Sequence, residues 1–339
     1  MKKTLIALAV ASAAASPALA EAPLTVYGVV DLGFVHDSDN VTGGGNRTGL
    51  DSGIQAGSRL GFRGTEDLGG GLSAIFTLEM GFAADTGAMT QGATFGRQAF
   101  LGLQSGWGRL TLGRQYTPYY LALSEVADPF GGGLAGNAGN LMWDTGTRMN
   151  NAIIYTLPQW GGLNAELGYG FGETQGDHQA GRNYSGSVGY TAGPFAVKLA
   201  HHGATDATAS VRSRSTLLAG TYDLKVARIH LGVADNDDIA DSEGRLREAH
   251  SRDWLAGIRL PFRRSNFILS YIRKDDRTAS NQDAAQWAVG YTYELSKRTD
   301  FYTSYGQMTN KNGAAYTIGN AMNLGLGQRQ FNVGIRHLF

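Results

Sequence analysis

The feature that most constrains this chain is a hydrophobic period of two that never gives way to a helical one. Ile54, Ala56, Ser58, Leu60 and Phe62 alternate with Gln55, Gly57, Arg59, Gly61 and Arg63. Leu72, Ala74, Phe76, Leu78, Met80 and Phe82 alternate in the same way with Ser73, Thr77, Glu79 and Gly81. In a pleated strand this spacing sends each set to one side of the sheet. Segments rich in β-branched and aromatic residues, many alternating in this way, fall near 24–36, 54–64, 72–84, 93–104, 107–115, 149–158, 162–172, 183–192, 194–203, 214–223, 226–235, 252–261, 265–274, 285–295, 299–309 and 328–339, sixteen in all. No segment reads as a long amphipathic helix, which argues against βαβ architectures.

The connections sort by length. Gln104-Ser-Gly106, Ala192-Gly193, Pro261-Phe-Arg-Arg264 and Ser296-Lys-Arg298 are short. Those near 37–53, 85–92, 116–148, 173–182, 204–213, 236–251, 275–284 and 310–327 are long and rich in Gly, Asn, Asp, Thr and Ser. Strict alternation of turn and loop describes an up-and-down meander rather than a Greek-key sandwich. Closing the meander removes its two edges. An even strand number, strands of about ten residues, turns at one end and loops at the other mark an outer-membrane barrel. The reading is therefore all-β: a 16-stranded antiparallel transmembrane β-barrel with short periplasmic turns and long extracellular loops. Leu, Ile, Val, Phe and Tyr are expected to face outward, and Arg, Glu, Thr, Gln and Gly inward, the inverse of a soluble barrel. Phe331, Val333, Ile335, His337 and Phe339 share one face of the last segment, Asn332, Gly334 and Arg336 the other. Glycine, 49 of 339 residues, is about twice as frequent as usual. Positions such as Gly57 and Gly61 would keep a lumen open, and Gly69-Gly-Gly71 suits a tight turn.

Lys2 and Lys3, the apolar stretch from Thr4 to Ala15 and the small-residue site Ala18-Leu19-Ala20 read as a secretory signal peptide over 1–20. The barrel domain is then 21–339. Removing Lys2 and Lys3 leaves 27 basic and 29 acidic residues, a net charge of −2, which argues against nucleic acid as a partner. The absence of cysteine excludes disulfide scaffolds, thiol catalysis and thiolate zinc sites. Nothing in the sequence calls for a cofactor or a metal. Asp235-Asn-Asp-Asp238 with Asp241 and Glu243 has Ile239 at a ligand position and no flanking helices, so it reads as a solvated acidic loop. His201 and His202 are adjacent, so a strand would point them to opposite faces, which is poor metal geometry.

At Val26-Tyr-Gly-Val-Val-Asp31, Ser58-Arg-Leu-Gly-Phe-Arg-Gly-Thr-Glu-Asp-Leu-Gly-Gly-Gly-Leu72, Arg97-Gln-Ala-Phe-Leu-Gly-Leu103, Leu112-Gly-Arg114, Arg148-Met-Asn-Asn151, Leu295-Ser-Lys-Arg-Thr299 and Gly334-Ile-Arg-His-Leu-Phe339 the chain resembles the Gram-negative general diffusion porins, above all the β-proteobacterial type. The resemblance spans essentially the whole of 21–339. It implies a homotrimeric, non-enzymatic channel of the cell outer membrane for ions and small hydrophilic solutes. It also implies contact with lipopolysaccharide and outer-membrane lipid, and an assembly signal at Phe339 read by the barrel assembly machinery.

Sixteen strands enclose an aqueous channel, so function depends on what narrows it. The segment 116–148 is the longest connection, and loops of that length inside a compact unit are functional as a rule. The resemblance implies that this third loop folds into the lumen. Asp128-Pro129-Phe130-Gly131-Gly132 is similar to the family's loop motif, with acid and proline in swapped order relative to the enterobacterial form. Glu125, Asp128 and Asp144 are the loop's candidate constriction acids. Arg59, Arg97, Arg114 and Arg148 are the candidate basic wall. Alternation puts Arg59 and Arg148 on the polar face. It puts Arg97 in phase with Leu101 and Leu103, and Arg114 with Leu110 and Leu112, so either a bulge or the membrane boundary intervenes or the two face away from the pore. Opposed carboxylates and guanidiniums would make a transverse field that orders water and biases ion passage, and guanidinium stays charged at any working pH. A barrel enzyme would need a Ser/His or Asp/His pair at the rim, and no such motif is recognisable. A third class is a substrate-specific porin or an adhesin; aromatic slides and more strands would favour the former, and neither is evident here.

Overall fold

The computed structural model describes residues 24–142, 146–240 and 247–339. The signal segment 1–20 and Asp144 lie outside the described residues. Seventeen strand segments follow in order: β1 (Thr25–Asn40), β2 (Arg47–Ser52), β3 (Arg59–Gly69), β4 (Leu72–Gly81), β5 (Gln98–Ser105), β6 (Gly108–Tyr116), β7 (Arg148–Thr156), β8 (Leu163–Gly170) and β9 (Asn183–Ala192). The second half comprises β10 (Phe195–Thr205), β11 (Val211–Asp223), β12 (Arg228–Ala240), β13 (Arg247–Phe262), β14 (Ser265–Asp276), β15 (Ala284–Glu294), β16 (Thr299–Asn310) and β17 (Gly327–Leu338). From β3 to β17 consecutive strands pair antiparallel, and β17 closes on β1 through Val29↔Leu338 to Asn40↔Gly327. Both β2 and β3 pair with β1, at His36↔Thr48 and Tyr27↔Gly61 respectively. They are one strand position interrupted at 53–58, so the barrel has the sixteen expected positions.

The interruption corrects the sequence reading of a continuous strand over 54–64. Asp31, fully buried, accepts the backbone N–H groups of Gln55 and Ala56 (2.9 and 2.7 Å) and the Tyr302 hydroxyl (2.5 Å). These bonds draw 53–58 away from the ladder and into the barrel. Alternation resumes at Arg59, with Leu60 and Phe62 opposite Arg59 and Arg63.

Several strands also run further toward the long loops than alternation suggests. Asp235–Asp238 belongs to β12 and is not a loop: Asp237 pairs with Arg214 and His250, and Asp235 with Thr216 and Arg252. Above the apolar belt both faces meet water, so the hydrophobic period vanishes while the backbone ladder, which does not depend on side-chain polarity, continues.

The outer wall is apolar, with Leu101, Leu112, Leu167, Leu218, Phe267 and Ile335 exposed on the isolated barrel. His201 stacks on Tyr184, and its neighbour His202 is buried. The inner wall departs from the expected all-polar face. Leu217, Ala219, Ala234, Leu255, Ile272 and Met308 form a buried apolar patch under Tyr119, Leu123, Ala127, Leu141 and Met142 of the third loop. Water cannot be excluded from a lumen wall unless something covers it, and the loop does so.

Candidate pore site

The third loop leaves β6 through a short helical turn, α1 (Pro118–Ala122). Pro118 suits a first helical position, and the Thr117 hydroxyl accepts the Tyr120 N–H at 3.0 Å. The loop is then fastened along the inner wall. The Tyr119 N–H bonds to Ser185 (3.2 Å), the His230 Nδ1–H to the Val126 carbonyl (2.9 Å), and the Ala135 N–H to Ser304 (3.0 Å). Arg259 donates to the Pro129 carbonyl. Phe130 and Leu134 pack with Val35, Ile54, Ile268, Ala288 and Tyr302.

Asp128 organises the turn. Its carboxylate accepts the N–H groups of Phe130, Gly132 and Ala138 at 2.8, 2.8 and 3.0 Å. The glycines that follow have separate reasons. Gly131 and Gly132 sit at φ +68° and +78°, where a side chain strains the backbone. Gly133 meets the 53–58 segment so closely that a Cβ would lie 2.0 Å from the Gln55 carbonyl oxygen.

Loop, inward segment and wall enclose a cavity of about 570 Å³. Arg59, Arg97, Arg148, Arg259 and Arg336 line it, together with Tyr116, Tyr120, Asp128 and the 320–324 stretch of the last loop. Glu79 stands behind Arg97 (2.8 Å) and Arg59 (3.7 Å), and Asp300 behind Arg336 (2.7 Å). The Tyr116 hydroxyl oxygen accepts both Arg97 Nη2 (2.6 Å) and Arg148 Nη2 (3.0 Å). The Arg148 guanidinium lies 4.5 Å over the Tyr116 ring, which stacks on Tyr120 at 5.3 Å. Among the described residues neither Arg148 nor Arg259 has a carboxylate partner within salt-bridge distance.

The sequence-chosen residues therefore divide. Arg59, Arg97 and Arg148 converge on one cavity. Arg97 precedes the first residue of β5, so strand parity does not govern it. A bulge does intervene at Arg114, where Gly113 pairs with Ala152 and Gln115 with Met149. It leaves Arg114 outside the cavity lining, donating to the Gly96 carbonyl (2.7 Å) and to Asn150. Asp128 reaches the cavity with its oxygens already engaged. Glu125 lies outside the lining, near Lys198 and Glu166, and partial burial raises its carboxyl above the usual range. Arg259, Tyr116 and 320–324 were not singled out by sequence reasoning. Arg259 alternates with Ile258 and Leu260, so its face was legible but its meeting with Pro129 was not. Phe339 exchanges both backbone hydrogen bonds with Gly28 (3.0 and 3.1 Å), sealing the barrel at its last residue.

Replacing Tyr116 by Phe removes the shared acceptor that holds two like-charged guanidiniums side by side. A lost hydrogen bond to a charged group is worth about 1.5–3 kcal/mol. The expected result is a barrel that unfolds more readily by roughly that amount, measured as a shift of the denaturation midpoint of the folded protein.

The comparisons agree with this architecture. The family model for Gram-negative porins matches residues 7–313. An outer membrane porin protein of Bordetella pertussis is 34% identical over 399 aligned positions, covering all of both chains. Outer membrane porin protein 32 of Delftia acidovorans is 34% identical over 360, again covering both fully. Among solved structures, an anion-selective porin from Comamonas acidovorans matches with a TM-score of 0.83 at 29% identity, over 94% of this chain and 100% of its own. Closed antiparallel barrel, inward loop and full-length relatives lead to one conclusion: this chain belongs to the Gram-negative porins, β-barrel channels of the outer membrane.

Proposed function

We propose that the protein is a passive diffusion channel that favours small anions, with the third loop as its constriction. One observation carries this reading: the charges presented to the cavity are guanidiniums, whereas the nearby carboxylates are withdrawn. Arg59 and Arg336 each keep about a quarter of their side-chain surface open (26%), while Glu79 and Asp300 keep 6% and 10%. Asp128 is buried and spent on backbone donors, and Asp31 lies buried behind Arg336. A solute passing the constriction meets positive charge on most sides, and fixed charge at a pore's narrowest point biases which ions pass. The structure at 29% identity that carries an anion-selective name supports the same reading.

Planar-bilayer recording in a salt gradient tests it. A reversal potential of the sign set by anions is the expected result, and a cation-set potential would overturn the proposal. By the same reading 1–20 is a signal peptide cleaved before Glu21, checked by the intact mass of protein taken from outer membranes. The functional unit is read as a homotrimer, checked by migration of the unheated protein as a much larger species. The resemblance also supports Phe339 as an assembly signal.

Asp128 adds a pH dependence. Burial pushes its carboxyl up to about 6, against the opposing pull of its three backbone donors. Folding therefore favours the protonated form, and that contribution to stability is full below the ordinary value near 4 and lost as pH rises through 6. Function follows the same titration. Between pH 7 and pH 5 the cavity loses one negative charge while the arginines keep theirs, so anion preference rises as pH falls. In Asp128→Asn that pH step should be smaller.

A further inference from the structure

The last loop, between β16 and β17, places an oxidisable atom in the passage. Met322 is the one methionine that lines the cavity among the described residues. Met142, Met149 and Met308 are buried, Met89 is exposed outside the lining, and Met80 pairs beside Leu60 on the outer row. The loop is pinned where Met322 enters. Asn320 Oδ1 accepts the N–H groups of Met322 and Asn323 (3.1 and 3.0 Å). The Ala321 N–H bonds to the Ile54 carbonyl (3.2 Å), and the Asn323 side-chain amide to Asp51 (2.7 Å). The side chain itself lies in a slot left by two glycines of the inward segment. A Cβ at Gly53 would come within 2.4 Å of Met322 Cγ, and one at Gly57 within 2.7 Å of Met322 Sδ. Gly57 has no positive φ, so crowding around the slot, and not backbone conformation, excludes a side chain there.

Two donors stand beside the sulfur. Gln91 Nε2 lies 3.7 Å from Sδ, and the Thr90 hydroxyl donates to Gln91 Oε1 (2.7 Å), which fixes the amide's orientation. Arg97 Nη1 lies 2.7 Å from the same Gly57 Cβ position as Sδ, so the two atoms are near neighbours. Arg97 gives its Nε to Glu79 (2.8 Å) and its Nη2 to Tyr116 (2.6 Å). Its Nη1 has no hydrogen-bond partner among the described residues. A thioether sulfur is a weak acceptor, so it leaves that nitrogen free. Oxidation to the sulfoxide turns an apolar side chain into a polar one. A sulfoxide oxygen here is a new acceptor within reach of Arg97 Nη1 and the Gln91 amide, and it takes up space in the passage.

We propose that Met322 is an oxidant-sensitive control point of the channel, converted to its sulfoxide by small peroxides that enter the pore. The sulfur lone pair attacks one peroxide oxygen, so that an S–O bond forms and the O–O bond breaks. The leaving hydroxide takes the proton from the transferred oxygen and departs as water. Sulfur is oxidised by one electron pair, and the peroxide is reduced by it. The new oxygen then engages Arg97 and Gln91, which narrows the cavity and withdraws positive charge from it. The assignment rests on the channel architecture and not on which ions the channel favours.

The test treats the purified, folded protein with hydrogen peroxide, records it in planar bilayers and maps added oxygen by peptide mass. Met322 and Met89 are expected to gain one oxygen each, and Met142, Met149 and Met308 none. Single-channel conductance should fall, and the reversal potential in a salt gradient should shift toward cations. In the native protein the loss should follow the fraction of Met322 sulfoxide over time and not that of Met89, which tests the assignment without any variant. Met322→Leu, compared only with its own untreated channel, should not respond to peroxide, whereas Met89→Leu should respond in full. Met322 left unoxidised at a dose that oxidises Met89 overturns the proposal. So does Met322 sulfoxide without a loss of conductance, a loss that follows Met89, or a response that persists in Met322→Leu. A cation-set potential before treatment would count against the anion reading alone, so the two failures remain distinguishable.

Discussion

Changing Arg59 and Arg148 together to glutamate is expected to reverse the channel's ion preference. A unit charge about 5 Å from a permeating ion contributes roughly 0.8 kcal/mol in water. Each reversal removes that attraction for an anion and installs an equal repulsion, about 1.6 kcal/mol or roughly tenfold. The two sites lie on opposite sides of the Arg97–Tyr116 contact, and both line the same cavity. Their joint effect on anion passage should approach about a hundredfold at low salt, with the converse for cations, and both shrink as the Debye length falls. The reversal potential in a potassium chloride gradient should change sign. A sign that stays with the anion would show that the cavity is not the selectivity element. Arg114→Glu is the matched control. Its guanidinium is engaged with Gly96 and Asn150 outside the lining, so its reversal should move the potential far less.

Asp128→Ala should widen the passage. The substitution leaves the N–H groups of Phe130, Gly132 and Ala138 without their acceptor, at about 1–3 kcal/mol for each buried orphan. That penalty falls on a loop segment rather than on the barrel ladder, so the barrel should survive while the loop gives up its inward form. Single-channel conductance should rise markedly, and larger uncharged solutes should enter liposomes in swelling assays. Gly133→Val attacks the same contact from the other side, since its Cβ would collide with the Gln55 carbonyl. Both variants keeping native conductance would mean that the loop does not set the narrowest point.

How far the sequence reached differs between the barrel and the site. Alternation located most strands because membrane and lumen impose opposite demands on successive residues, as at Phe331, Asn332 and Val333. It failed at 53–58, where the period of two continues in the letters but Asp31, a partner distant in sequence, pulls the backbone out of the sheet. It also failed above the belt, where Asp235–Asp238 stays in β12 with water on both faces. Arg59 and Arg148 were legible as lumen residues. Arg97 and Arg114 shared the opposite parity, and only a strand boundary in one case and a bulge in the other separated their fates.

The sequence by itself determined the fold class, the number of strand positions, the two ends of the barrel and the sign of charge available on part of its wall. These are all written in period, parity and connection length, which are local properties of a strand in its solvent. The tertiary structure decided which charges a solute meets. Glu79, Asp300 and Asp128 count the same as the arginines in the sequence, yet salt bridges and backbone donors withdraw them from the cavity. Whether a charge is presented or buried depends on partners brought together only when the barrel closes and the third loop packs onto its inner wall.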